Sequence, residues 1–199
     1  MDILNKIAES LLGDGSPKDA WFYLAQAVGL AAVTFYLLGY LQRKGKRILA
    51  FNLTARVLYV AQYLLLGAFE GAVLDVAGSA ASVLAGQKER SFIKKYRVLC
   101  IVGVNLLIIA LGLLVYESPL SLLPIAAVML HTGAFWLNSD RWVRFVSLLG
   151  CPLWFIYNFA SEAYFSSVGD ALSFLFIVIS IVRYDLKKKP KEGEETREI

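Results

Sequence analysis

The chain has 199 residues, 58% hydrophobic and 18% charged, with a net charge of +4 at pH 7 and a mean hydropathy of +0.60. That composition excludes a soluble globule: apolar blocks that approach the roughly 20 residues needed to cross a hydrocarbon layer describe an integral membrane protein. The basic balance does not mark a nucleic-acid binder, because Lys and Arg fall in short clusters at the ends of the apolar blocks, where they set topology and meet anionic lipid headgroups.

In chain order, Ile3, Leu4, Ile7, Ala8, Leu11 and Leu12 recur at helical spacing before the breaker run Gly13-Asp14-Gly15-Ser16-Pro17. Residues 1–19 are therefore expected to form an amphipathic helix on the outer membrane surface and a linker. They lack the basic start and apolar core of a signal peptide, so the first span is expected to insert uncleaved. Seven apolar spans follow, at residues 21–41, 48–66, 71–84, 98–116, 119–137, 143–163 and 165–182. They predict an all-α, polytopic membrane protein. Residues 186–199, charged and almost devoid of large apolar groups, are expected to be a disordered cytoplasmic tail.

The basic residues divide sharply between the two ends of these spans. Arg43, Lys44, Lys46 and Arg47 follow the first span; Lys88, Arg90, Lys94, Lys95 and Arg97 the third; Arg141 and Arg144 the fifth; and Arg183, Lys187, Lys188, Lys189, Lys191 and Arg197 the seventh. The segments at the other ends carry only Lys6 and Lys18. Because positively charged loops stay in the cytoplasm, the pattern predicts an outside N-terminus, a cytoplasmic C-terminus and an odd number of crossings. Cys100 and Cys151 lie within spans, which argues against a disulfide.

Sliding the chain against itself by 95 positions aligns the first three spans with the last three without a gap. Ala31-Ala32-Val33 falls on Ala126-Ala127-Val128, Leu58-Tyr59 on Leu153-Trp154, Ala68 on Ala163, Asp75 on Asp170 and Lys88 on Arg183. A three-span unit reverses sidedness, and the fourth span restores it, so the repeats are expected to be parallel. The domain plan is a three-helix repeat at 20–88, a linker helix at 89–117 and a second repeat at 118–185, a 3+1+3 arrangement.

Parallel three-helix repeats are the architecture of the SWEET transporters, and the chain resembles that wider superfamily, which includes the PQ-loop and MtN3-like proteins. It resembles more closely the YgjV family of bacterial inner-membrane proteins. The closer likeness rests on Leu24-Ala25-Gln26 with Val28-Gly29, Leu64-Leu65-Leu66-Gly67, Leu122-Leu123-Pro124, Trp154 with Asn158-Phe159, and Arg183, and covers about residues 21–184. It implies an inner-membrane location and a SWEET-like fold. One departure concerns the kinking prolines of SWEET-type repeats: the second repeat has Pro124 and Pro152, where the first has Gly29 and Val57.

The polar residues within spans carry the functional expectations. Asp75 and Asp170 are repeat equivalents a few residues into their helices, and intramembrane carboxylates face water, a partner or a ligand. They are expected to meet across an outward vestibule, either as one site in which each perturbs the other's protonation, coupling protons to solute passage, or simply as acids reaching interfacial water, or as partners of Arg56. Arg56, midway along the second span, needs an acceptor, which is a helix carbonyl, a neighbouring acid or an anionic ligand. Tyr59, Gln62 and Tyr63 align with Trp154, Tyr157 and Asn158, an amide and aromatic layer that either binds a small polar solute or only joins helices. His131, the lone histidine, is read first as a packing residue and second as a switch. Gly78, Ala81, Ser82 and Ala85 form a small-residue face for close helix packing. No nucleophile elbow, phosphate loop or metal-ligand cluster is present, so neither an enzyme nor a cofactor is expected.

The leading expectation is a small-solute transporter or facilitator that binds substrate between the repeats, with Asp75, Asp170, Arg56, Tyr59, Gln62, Trp154, Tyr157, Asn158 and His131 as binding residues. The other reading is a non-transporting membrane accessory protein whose polar residues are helix glue. Expected partners are an unidentified small polar solute and the lipid bilayer, with no nucleic acid and with a homo-oligomer left open.

Overall fold

The structure, a computed structural model, describes residues 19–40 and 45–186. The amphipathic helix expected before residue 19 and the tail expected from residue 187 lie outside the described residues. Asp19, the first described residue, accepts a hydrogen bond on Oδ1 from the Phe22 amide at 2.9 Å, the N-cap arrangement that satisfies one of a helix's unpaired first-turn amides. Seven long helices follow: α1 Ala20–Tyr40, α2 Gly45–Leu65, α3 Phe69–Gly86, α4 Arg97–Leu114, α5 Leu122–Phe135, α6 Asp140–Ala160 and α7 Tyr164–Ile181. A five-residue helix, Ser91–Lys95, precedes α4, a 3-10 turn at Pro119–Ser121 precedes α5, and a π-helical turn at Val182–Leu186 follows α7. Among the described residues there is no strand.

Five of these helices are long and apolar enough to cross a membrane: α1, α3, α4, α6 and α7. The other two are shorter apolar stretches, Leu53–Leu65 within α2 and Pro119–Phe135 around α5. In α2 the sequence of the first turns contains Lys46, Arg47 and Asn52, and the 3-10 turn that precedes α5 has Pro119 as its first residue. The expected spans of 48–66 and 119–137 are thus shorter as apolar helix than the sequence pattern suggests.

The helices form a ring. Chain neighbours pack together, α1 on α2 and α2 on α3, then α5 on α6 and α6 on α7, while α3 meets α5 and α7 meets α1 to close it. α4 stands outside, against α3 and α5. There Ile108 and Leu74 are buried with Val128 and Ala127, and Gly112 lets Ile125 approach so closely that a Cβ would stand 2.4 Å from its Cγ1.

The 95-residue correspondence extends to backbone detail. α2 and α6 begin and end at positions 95 apart, as do α3 and α7. The turn closing α2 has Ala68 N donating to Tyr63 O and Gly67 N to Leu64 O; the turn closing α6 has Ala163 N donating to Asn158 O and Glu162 N to Phe159 O. Both are Schellman caps, which need a left-handed residue at the turn. Gly67, at φ 72, and Glu162, at φ 58, fill that position and are the described residues with positive φ.

At the ends bearing the basic connections, part of the positive charge is committed within the chain. Lys88 Nζ donates to the carbonyls of Phe135 and Leu137, and Arg97 donates to the carbonyl of Trp136 and to Asn138 Oδ1. These cations complement the negative end of α5. Arg144 clasps Asp185 through two bonds, Nε to Oδ2 at 2.9 Å and Nη2 to Oδ1 at 2.7 Å, and so joins the start of α6 to the turn after α7. Their first role is to hold helix ends together, alongside any contact with headgroups.

Candidate functional site

A cavity of about 340 Å³ lies inside the ring, and every ring helix contributes to its wall. α1 supplies Tyr36, α2 Arg56 and Tyr59, α3 Asp75, α5 His131, α6 Cys151, Trp154 and Asn158, and α7 Asp170 and Ser173. Its wall runs from Tyr63 and Ser166, past the two aspartates, toward the basic ends of the helices, where Phe135, Ser147 and Ile177 line it. The two aspartates, expected to meet across an outward vestibule, both line this cavity, and an aromatic and amide layer lies at the end opposite the basic connections.

That layer is built by the repeat. Tyr63 and Asn158 are equivalent positions, and the Tyr63 hydroxyl donates to Asn158 Oδ1 at 2.8 Å. Two further bonds are equivalent to each other: Ser166 Oγ donates to Gln62 Oε1 at 2.6 Å, and the Gly71 amide donates to Tyr157 Oη at 2.8 Å. Trp154 stacks on Tyr63 with 6.3 Å between centroids and meets Tyr157 edge to face. Glycine makes the approach possible, since a Cβ on Gly71 would stand 2.9 Å from the Tyr157 ring and one on Gly29 2.3 Å from the Gln62 amide. Gln62 and Tyr157, expected among the binding residues, belong to this closure and do not line the cavity.

Below the layer the two aspartates have different partners. Arg56 Nη1 pairs with Asp75 Oδ1 at 2.8 Å and donates to Ser79 Oγ at 3.1 Å, so the acceptor that Arg56 needs is an acid on the neighbouring helix. The Asp75 side chain is 14% exposed, against 42% for Arg56, and Asp75 Oδ2 has no hydrogen-bond partner. Asp170 is held by a neutral group, Asn158 Nδ2 donating to its Oδ2 at 2.6 Å. Asn158 thus has both ends of its amide fixed, one by Tyr63 and one by Asp170. Tyr59 lies with its hydroxyl against Gly169, 2.9 Å from where a Cβ would be.

His131 Nε2 faces the Ser147 carbonyl at 3.0 Å, in space left by Gly150, whose Cβ would stand 2.4 Å from the ring. Its equivalent, Tyr36, hydrogen-bonds Ser173 at 3.1 Å. The two residues line the cavity from α1 and α5 while bridging to the adjacent helices.

Glu70 is a buried acid that sequence reasoning passed over. It lies in the first turn of α3 and accepts from Ser121 Oγ at 2.8 Å and from Tyr157 Oη at 3.4 Å. Ser121 is fixed in turn by the amides of Glu117 and Ser118. Glu70, Glu117, Ser118, Tyr157 and Ser161 line a second pocket of about 190 Å³ at the end opposite the basic connections. The readable signal was an acid at a helix N-terminus, which the expected start of that span at residue 71 placed in a loop. Among the described residues no group of three His, Cys, Asp or Glu side chains is placed to hold a metal ion.

Comparison with known proteins returns one family. The model of the Imp-YgjV family, described as bacterial inner membrane protein, matches residues 23–188. No curated protein and no solved structure matches.

Proposed function

The chain belongs to the Imp-YgjV family of bacterial inner membrane proteins, and on that premise we propose that it is a small-solute transporter or facilitator, with its solute bound between the two three-helix repeats. The observation that carries this reading is the polar cavity walled by all six ring helices, with Tyr59 and Trp154, Tyr36 and His131, and Asp75 and Asp170 contributed as equivalent pairs. A protein that used these residues only as helix glue would have a packed, dry repeat interface.

In this reading seven spans cross the inner membrane in a SWEET-like 3+1+3 plan, with the N-terminus outside. The cavity is then accessible from the cytoplasmic side, and the Tyr63, Asn158, Gln62 and Ser166 layer closes the outer side. Movement of the repeats about this layer would exchange access. A thermal-shift screen of the purified protein against sugars, amino acids, amines, nucleosides, vitamins and ions tests it, since a ligand bound only by the folded state raises the melting temperature. At least one solute should raise it, with the effect lost in Tyr59→Ala. Failure of every class would overturn the proposal.

A further inference from the structure

The cavity is one positive charge short. In the first repeat the Asp75 carboxylate is paired with the Arg56 guanidinium at 2.8 Å. The position equivalent to Arg56 is Cys151, a small neutral residue on the wall of the same cavity. Its equivalent acid, Asp170, receives one hydrogen bond from a neutral amide, and among the described residues no Lys or Arg forms an ion pair with it. Two carboxylates thus face one guanidinium in a space large enough for a small molecule.

We infer that the cavity binds a small organic cation, an ammonium or guanidinium compound, whose charged group pairs with Asp170 beside Cys151 as Arg56 pairs with Asp75. The inference rests on the cavity being a solute site and names the solute's class. Exchanging an arginine for a cysteine in the second repeat removes a charge and opens room for one from outside. Intramembrane carboxylates are costly unless they are partnered. Tyr59 and Trp154, equivalent to each other, line the same space, and aromatic rings attract cations. An anion is disfavoured, because the Arg56 charge is already paired with Asp75 while Asp170 would repel it.

The test uses the full chain in detergent, with binding read by intrinsic tryptophan fluorescence and by thermal shift. The probes are butylammonium, 2-phenylethylammonium and guanidinium, set against the neutral 2-phenylethanol and the anion 3-phenylpropanoate. The cations should bind and the neutral and anionic probes should not. Asp170→Asn should weaken cation binding by roughly tenfold or more. Cys151→Arg, which supplies the missing guanidinium from within the chain, should weaken it as strongly while Asp170 is kept. Glu89→Gln, at an exposed position outside the cavity, should leave it unchanged.

Equal binding of neutral and charged probes by the native protein would overturn the inference, whichever variants fold. So would undiminished cation binding in a folded Asp170→Asn protein, or no cation binding up to millimolar concentration. A neutral or anionic solute whose binding is lost in Tyr59→Ala would remove the cation assignment and leave the transport reading standing. No binding by any class would remove both.

Discussion

Single residues in this protein act chiefly through the space and charge they leave to others. Gly150 exists in its helix for His131, whose ring fills the volume a methyl would take. Gly150→Ala should therefore lower stability by about 1 to 3 kcal/mol, the usual cost of overpacking, seen as a lower melting temperature. Gly103→Ala and Gly133→Ala, where a Cβ meets nothing within 4 Å, should leave it unchanged or raise it by up to about 1 kcal/mol. The polar residues themselves were legible, because Arg56, Asp75, Asp170 and His131 stand out in apolar surroundings. Their pairings were not, because the bond from Arg56 to Asp75 depends on the rotation of α2 against α3, which apolar periodicity does not encode. Glu70 was hidden by two residues of helix boundary.

At the level of elements, the turn after α2 and the turn after α6 are one structure written with two residues. The left-handed position suits Gly67 and imposes strain on Glu162. Gly67→Val should cost about 1 to 2 kcal/mol, because a β-branched side chain clashes in that conformation. Glu162→Gly should be neutral or stabilising by up to about 1 kcal/mol, and it keeps the bond from Gln26 Nε2, which is made to the Glu162 backbone carbonyl. Thermal unfolding of the two variants beside the native protein checks both signs. These turns explain why the 95-residue offset was visible in the sequence: helix ends recur in register, and they survive even where residues such as Gly67 and Glu162, or Tyr63 and Asn158, have diverged. The length of apolar helix was less legible, since the polar first turns of α2 are helical without being membrane-like.

For the whole molecule, the division of basic residues predicts an orientation that can be measured. Cysteines placed at Glu89, exposed at the basic end, and at Glu117, at the opposite end, should react with a membrane-impermeant maleimide from opposite sides, Glu117→Cys from outside the cell. Labelling of both from one side would contradict a crossing by α4 and with it the seven-span plan. Ring closure through α3 with α5 and α7 with α1 could not be read from one sequence, because those contacts join distant segments with no charge or spacing signal. The mismatch between Arg56 and Cys151 has a consequence for any molecule inside that ring. A chamber with true twofold symmetry offers an unsymmetrical guest two equal poses, a degeneracy that favours binding by about 0.4 kcal/mol and leaves the guest's direction undefined. With the guanidinium on one side alone the two poses are no longer equal, so the guest lies head to tail in a single sense, and two equivalent halves acquire a polarity.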